Sequence, residues 1–179
     1  MKNAIIVLIL VLTAAGFCCE SSMAQKDKEA GRVMKITSPS FENGANIPFK
    51  FTGEGIDVNP ALDIEDIPTR TKSLALIVDD PDAPVKTWVH WVVYDIPPIN
   101  HIDENSVPGK QGMNDAGVKN YHGPYPPSGI HRYYFKVYAL DKVLEAREGI
   151  SKKDLEDAMK GSILSSAELM GLYERGQKK

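Results

Sequence analysis

The sequence predicts a single β-rich α+β domain, and three observations lead to this fold class. Two apolar segments, 73–80 and 87–97, end abruptly in acidic residues or prolines, as buried strands do. A third segment, 131–141, is rich in the aromatic and β-branched residues that favour strands. Only residues 151–161 carry the start and stop signals of a helix. With 179 residues, 42% hydrophobic and 25% charged, the chain fits one globular domain better than two.

Residues 1–24 are predicted to be a secretory signal peptide. Lys2 gives a positive start, residues 4–15 form an apolar run, and residues 22–24 resemble a cleavage site with small residues at both key positions. The apolar run is shorter than the ~20 residues that a membrane-spanning helix needs. We therefore expect export, as a periplasmic or secreted protein, after cleavage near Ala24.

A lipid anchor is the alternative for this N-terminus. Cys18 or Cys19 could carry the lipid, although Phe17 is bulky where a lipoprotein signal has a small residue. Both cysteines precede the proposed cleavage point, so the mature protein would contain none. Thiol catalysis, disulfides and cysteine metal sites are then excluded together.

Charge gives no indication of a nucleic-acid partner. The formal net charge is -3, and removing residues 1–24 deletes one cation, Lys2, and one anion, Glu20, which leaves that value unchanged. The basic residues are scattered, so no nucleic-acid surface is expected. Residues 25–32 are polar and are predicted to be a flexible leader to the folded domain, 33–179.

The elements of the domain follow in chain order. Structure is expected to begin near Val33, and residues 41–68 alternate short apolar pieces with Gly, Asn and Pro, which is typical of short strands between turns. After the two apolar strands, residues 100–129 form a long irregular stretch, which favours a functional loop. Ser151 and Asp154 form a capping box for the helix, and Gly161 can end it. The segment 162–175 is ambiguous between helix and strand.

Period-2 alternation places polar side chains among apolar ones on the faces of the strands. One predicted face of the last long strand has His131, Tyr133, Phe135 and Val137, and the other has Arg132, Tyr134, Lys136 and Tyr138. The predicted face of the preceding strand has Trp88, His90, Val92 and Tyr94. Each strand thus starts with a histidine next to a Pro-rich loop, whereas His101 and His122 are predicted to be solvated loop residues.

Three kinds of chemistry remain open for these histidines and the acids Asp79, Asp80 and Asp82. Nucleophilic catalysis is weakly supported, because the mature chain has no cysteine and no G-x-S-x-G, and Ser128 belongs to a Pro-Gly turn. A metal site built from His90, His131 and an aspartate is neither supported nor excluded by spacing. An anion pocket, in which imidazoles, the Tyr133 hydroxyl and loop N–H groups bind phosphate oxygens, is the third.

Two segments closely resemble the signatures of the phosphatidylethanolamine-binding protein family, in particular its bacterial Raf kinase inhibitor-like branch. They are "DDPDAP…WVHWVVYDIP" and "GPYPPSGIHRYYFKVYALD", and the likeness runs from about Val33 to Arg175. It implies two antiparallel sheets with a few peripheral helices and a small pocket at one end. It also implies that the ambiguous tail is the closing strand.

The resemblance implies a pocket for a phosphate-type anion or a phospholipid headgroup. The ligand-binding residues that carry over are Asp80, Asp82, His90, Gly123, Pro127, His131 and Tyr133, whereas Arg132 is expected to be an ion-pair partner. Tyr125 departs from the small residue or cysteine of many relatives, which could narrow the pocket mouth or add a hydroxyl donor.

We therefore expect a non-enzymatic binding protein without cofactor or metal. The family also includes kinase and protease inhibitors, so inhibition of an extracytoplasmic protease is the first alternative function. A weak hydrolase that uses His131 as general base is the second. Nothing in the sequence indicates the oligomeric state.

Overall fold

The computed structural model describes residues 33–176. The predicted signal peptide, the alternative lipid attachment at Cys18 or Cys19 and the leader 25–32 lie outside the described residues. The strands are β1 Lys35–Thr37, β2 Leu62–Glu65, β3 Ser73–Asp80, β4 Trp88–Ile96, β5 His101–Ile102, β6 Lys110–Gln111, β7 Ile130–Leu140 and β8 Ile163–Glu174. Helix α1 is Lys152–Met159, and a 3-10 turn spans Phe49–Phe51.

The strands form two antiparallel sheets. A three-stranded sheet has the order β1-β2-β5, and a five-stranded sheet has the order β6-β4-β3-β7-β8. The predicted β-rich fold with two antiparallel sheets is thereby confirmed. The turn at Phe49–Phe51 lies in the 41–68 segment, where only strands and turns were expected, and β2 is the one strand of that segment.

Strand β3 is buried over its whole length because it lies at the centre of the larger sheet. Leu74, Leu76 and Val78 pack into the core between the two sheets, and Ala75 and Ile77 pack on the opposite face. That opposite face is covered by α1, through Leu155 and Met159. A strand that is apolar on both faces has a continuous run of hydrophobic residues in its sequence, as the segment 73–80 has.

The predicted helix is confirmed, and a buried carboxylate ties it to the sheet. The Ser151 hydroxyl accepts a hydrogen bond from the Asp154 N–H at 3.1 Å and caps the first turn. Asp79, fully buried at the end of β3, accepts hydrogen bonds from Lys136 at 2.8 Å and from Lys152 at 2.5 Å. Lys152 is the first residue of α1, so this ion pair joins the helix to the sheet.

Strand β4 departs from the alternation predicted for it. Val78 pairs with Trp91 and Asp79 pairs with Val89, so His90 is an extra residue in a bulge. His90 consequently lies against Tyr133 on the side of the core between the sheets, whereas Val92 and Tyr94 pack on the helix side. The predicted common face of Trp88, His90, Val92 and Tyr94 is therefore wrong, because the bulge reverses the phase of the strand.

The ambiguous tail is strand β8, which pairs with β7 from Ile163 to Glu174. Its outer edge is covered in part by residues 44–47, since Gly44 donates to the Met170 carbonyl and Ile47 to the Leu172 carbonyl. Gly171 leaves room for this crossing, because a Cβ there would overlap with the Ile47 side chain. The segment that precedes the 3-10 turn thus lies along the outer edge of β8.

Candidate functional site

A cavity of about 280 Å³ lies where β3 ends and where β4 and β7 begin. Its polar wall comes from these three strands, and the segments 83–84 and 125–127 supply an apolar wall. Among the predicted ligand-binding residues, those that line the cavity are Asp80, His90, Pro127, His131 and Tyr133. The antiparallel order β4-β3-β7 brings the three strand ends together, although 51 positions separate Asp80 from His131 in sequence.

Asp80 and His131 form a buried pair on the cavity wall. The His131 Nδ1–H donates to the Asp80 carboxylate at 2.7 Å, and the two side chains are only 8% and 5% exposed. This bond fixes the orientation of the ring. Within residues 33–176 the Nε2 atom of His131 has no hydrogen-bond partner, so it is available to a ligand.

His90 is held by the backbone of the following loop. Its Nδ1–H donates to the His122 carbonyl at 2.6 Å, and the His122 N–H donates back to the His90 carbonyl at 3.1 Å. Burial lowers the pKa of His90, and the bond to the His122 carbonyl only partly opposes this. The ring is therefore neutral near pH 7, with Nδ1 protonated and Nε2 as a hydrogen-bond acceptor.

Tyr133 carries a buried hydroxyl that has no hydrogen-bond partner in the described part of the chain. The Tyr133 ring packs edge-on against His90, with centroids 5.2 Å apart and an interplanar angle of 77°. Burial and the nearby Asp80 raise the pKa of Tyr133, so the phenol stays protonated and can donate. A buried hydroxyl without a partner is costly, which makes it a strong indicator of a ligand site.

His122 also lines the cavity, although it was predicted to be a solvated loop residue. Its ring stacks on His90 with centroids 6.2 Å apart, and its Nδ1 lies 3.2 Å from the Asp57 carboxylate. The side chain is 36% exposed, so one edge still reaches solvent. The segment 100–129 has no periodicity that would show this ring to face the cavity, so the sequence alone does not identify it.

His101, by contrast, is an exposed residue of the short strand β5. Its side chain is 48% exposed, and its Nδ1 lies 2.6 Å from the Asp63 carboxylate. That carboxylate raises the pKa of His101. The ring is not part of the cavity wall.

Two predicted ligand-binding residues lie outside the cavity lining. Asp82 accepts two hydrogen bonds from the Arg132 side chain, at 2.9 Å and 2.6 Å, and this partner lowers the pKa of Asp82 to about 2. Gly123 is buried, and a Cβ there would overlap with the Phe51 carbonyl oxygen. Arg132 is thus the ion-pair partner that was expected, and Gly123 acts by letting two segments approach closely.

Tyr125 forms part of the cavity wall and is 46% exposed. The guanidinium of Arg175 lies 4.2 Å from the centroid of its ring, a cation–π contact. The Gly53 N–H donates to the Pro124 carbonyl at 2.9 Å, which holds the preceding residue in place. The tyrosine therefore contributes a partly exposed aromatic ring to the cavity wall.

These side chains can bind a small group that both accepts and donates hydrogen bonds. The Tyr133 hydroxyl can donate, and the Nε2 atoms of His90 and His131 accept when neutral and donate when protonated. No group of three or more His, Cys, Asp or Glu side chains within residues 33–176 is arranged to hold a metal ion. Trp88, Pro84 and Pro126 supply apolar surface beside the polar atoms.

The comparisons with known proteins agree on one family. The family model for phosphatidylethanolamine-binding proteins matches residues 37–174. The chain is 46% identical over 151 residues to a UPF0098 protein of Methanothermobacter thermautotrophicus, covering 80% of this chain and 100% of the relative. It is 44% identical over 149 residues to a UPF0098 protein of Chlamydia trachomatis, covering 79% of this chain and 99% of the relative.

Two crystal structures have the same fold. The homolog CT736 from Chlamydia trachomatis superposes with a TM-score of 0.78 at 43% identity, over 80% of this chain and 98% of the other. Escherichia coli YbcL, described as a new member of the mammalian family, gives a TM-score of 0.74 at 28% identity, over 80% of this chain and 99% of the other. The chain belongs to the phosphatidylethanolamine-binding protein family.

Proposed function

We propose that this protein is an exported, non-enzymatic binding protein whose cavity takes a phosphate-type anion, either free or as the headgroup of a phospholipid. One observation carries the proposal. Three side chains on the cavity wall, His90, His131 and Tyr133, have hydrogen-bonding atoms that no described residue uses. The Tyr133 hydroxyl is buried, and buried polar atoms are normally satisfied, so a ligand is its natural partner.

A phosphoryl group suits this set of atoms. Its charged oxygens accept from the Tyr133 hydroxyl and from a protonated imidazole, and a P–OH group can donate to the Nε2 of neutral His90. The Asp80 carboxylate accepts the Nδ1–H of His131 at 2.7 Å, which holds the ring so that its Nε2 atom stays available to the phosphoryl group.

The size of the cavity limits the rest of the ligand. A volume of about 280 Å³ holds a phosphoryl group and a short substituent. Sites for drug-sized ligands are roughly 300–1,000 Å³, so acyl chains would have to stay outside. If the natural ligand is a phospholipid, only its headgroup enters.

Binding without turnover is favoured because the cavity offers no evident nucleophile. Ser128 is exposed, and no hydrogen bond joins it to an imidazole within the described residues. His131 could act as a general base, but the Asp80–His131 pair equally suits a binding role. Export is proposed from the signal-peptide pattern of residues 1–24. No helix in the part of the chain from 33 to 176 is long and apolar enough to cross a bilayer.

Nitrogen NMR of the imidazole rings tests the binding function directly. Titration with inorganic phosphate and with phosphoethanolamine should shift the ring signals of His90 and His131. His101, which lies outside the cavity wall, is the internal control and should not respond. If the signals of His90 and His131 stay unmoved, the proposed phosphate site is wrong. The N-terminal mass of the native protein separately tests export by distinguishing cleavage before Gln25 from lipid on a cysteine.

A further inference from the structure

The mouth of the cavity carries a positive charge that has no carboxylate partner in the described part of the chain. Arg175 is exposed, it forms no ion pair with any of residues 33–176, and its guanidinium stacks on Tyr125. Tyr125 is itself part of the cavity wall. Any ligand substituent that leaves the cavity along this wall therefore passes close to a full positive charge.

The neighbouring hydrogen bonds hold Arg175 and Tyr125 together. On either side of Arg175, the Tyr173 hydroxyl and the Gly176 N–H donate to the same Glu54 carboxylate oxygen, at 2.7 Å and 2.9 Å. The adjacent Gly53 N–H bonds to the carbonyl of Pro124, the residue before Tyr125. The end of β8 and the Pro-rich segment are thus tied to one short loop, 53–54, which fixes the stacked pair.

The other basic side chains of the cavity-forming segments are neutralised. Lys86 pairs with Asp115 at 2.6 Å, and Arg132 pairs with Asp82 at 2.6 Å. The acids Asp57 and Asp80 are each bonded to a histidine. Glu54, in the loop 53–54, carries a negative charge that opposes the positive charge of Arg175. The net electrostatic effect of Arg175 on a ligand is therefore modest.

We infer that Arg175, positioned by Tyr125, selects phosphate ligands whose substituent carries a second negative charge and disfavours those with an ammonium group. This inference rests on the proposed phosphate site and adds the class of its ligand. A group packed on the ring lies roughly 8 Å from the guanidinium, since ring contact adds about 3.5 Å to the stacking distance. That separation is about one Debye length at physiological salt.

The expected preference follows from Coulomb's law in a water-like medium. At roughly 8 Å and low ionic strength one unit charge changes affinity about two-fold, so the difference between a carboxylate and an ammonium substituent is about four-fold. The probes are phosphoglycolate, ethyl phosphate and phosphoethanolamine, which are of similar size and carry negative, neutral and positive substituents. Affinities should decrease in that order, and the preference should shrink at high salt.

Titration calorimetry with the three probes and inorganic phosphate tests this inference. Arg175→Gln should reduce the preference to less than two-fold, and Tyr125→Leu should weaken it because the guanidinium loses its support. Arg70→Gln, which removes an exposed arginine in a turn, is the charge-matched control and should leave the preference intact. Equal affinities in the unmodified protein, or a preference that survives Arg175→Gln, would overturn the inference while leaving the phosphate site standing. If none of the four ligands binds, the proposed function fails as well.

Discussion

The carboxylate of Asp80 and the imidazole of His131 form a single buried unit, with 2.7 Å between Oδ2 and Nδ1. Asp80 is the last residue of β3 and His131 the second residue of β7, so the pairing of these strands places both at one end of the sheet. The carboxylate accepts the Nδ1 proton, which leaves Nε2 as the free nitrogen on the cavity wall. The orientation of the ring therefore depends on the acid behind it.

Asp80→Asn should lower the affinity for inorganic phosphate about tenfold, the effect expected for a lost charge-assisted hydrogen bond. An amide oxygen is uncharged, so it holds the Nδ1–H of His131 through a weaker hydrogen bond than the carboxylate does. Calorimetric titration at fixed pH measures the change. Asp82→Asn is the matched control, because it removes the same charge two residues away, where the partner is Arg132 outside the cavity wall. Equal losses in the two variants would contradict a specific role for Asp80.

Tyr133→Phe should weaken phosphate binding about threefold to tenfold without reducing stability. The hydroxyl has no partner among the described residues, so its removal relieves a buried unsatisfied group, and the free energy of unfolding should stay constant or rise by up to about 1 kcal/mol. Urea denaturation and calorimetric titration measure the two quantities.

Tyr121→Phe should have the opposite pair of effects on stability and phosphate affinity. The Tyr121 hydroxyl is buried and donates to the Phe51 carbonyl at 2.9 Å. Its loss should lower the free energy of unfolding by about 1 kcal/mol and leave phosphate affinity unchanged. A Tyr133→Phe protein that loses stability but binds phosphate normally would show that the Tyr133 hydroxyl is structural.

Regular elements of this fold were predictable because local patterns determine them. The apolar run of 73–80 and the capping box at Ser151 correspond to β3 and α1. The bulge at His90 was not predictable, since one extra residue in a strand leaves its composition unchanged and alternation assumes an unbroken ladder. Similarly, Asp80 and Asp82 would share a face in a continuing strand, but β3 ends at Asp80 and Asp82 turns towards Arg132.

The loop residues of the site could be found only in three dimensions. His122 lies 65 residues from Asp57, the carboxylate that meets its ring, and Arg175 lies at the far end of the chain from Gly53. Pro- and Gly-rich segments have no periodicity from which a facing side chain could be read. The resemblance supplied Asp80, His90, His131 and Tyr133, whereas His122 and Arg175 required the folded geometry.

The buried ring of His90 is expected to reduce the free energy of unfolding of the protein in mild acid. Burial lowers the pKa of His90 below the ordinary imidazole value of about 6.5, so the unfolded chain binds a proton there more readily than the folded protein does. Protonation therefore favours unfolding as the pH falls below about 6.5, and above that value this group has no effect. Urea denaturation at about pH 7.5 and about pH 5.5 should show a smaller loss in His90→Gln than in the unmodified protein.

His101→Gln should change the pH dependence in the opposite direction. Asp63 raises the pKa of His101, so its stabilising contribution is complete below the unfolded value and is lost as the pH rises through the higher folded value. Removing it should make the protein more sensitive to acid, not less. Identical pH profiles for His90→Gln and the unmodified protein would contradict the assignment of a buried neutral ring.

Asp79→Asn should lower the free energy of unfolding by about 2–4 kcal/mol, the largest loss among these variants. Asp79 is fully buried, and it is the common acceptor for Lys136 and Lys152, which are 28% and 21% exposed. An amide would leave Lys136 without its counter-ion and Lys152 with only Glu156, 3.6 Å away, and it would release the first residue of α1 from the sheet. The partial exposure of the lysines keeps the loss below that of a wholly buried pair. Urea denaturation measures this loss, and amide hydrogen exchange should show α1 opening more readily.

Asp157→Asn is the control for this prediction. It removes the same charge from the exposed side of α1, between Lys153 and Lys160, and should leave stability unchanged. Comparable losses in the two variants would mean that net charge, and not the attachment of α1 by Asp79, determines stability here.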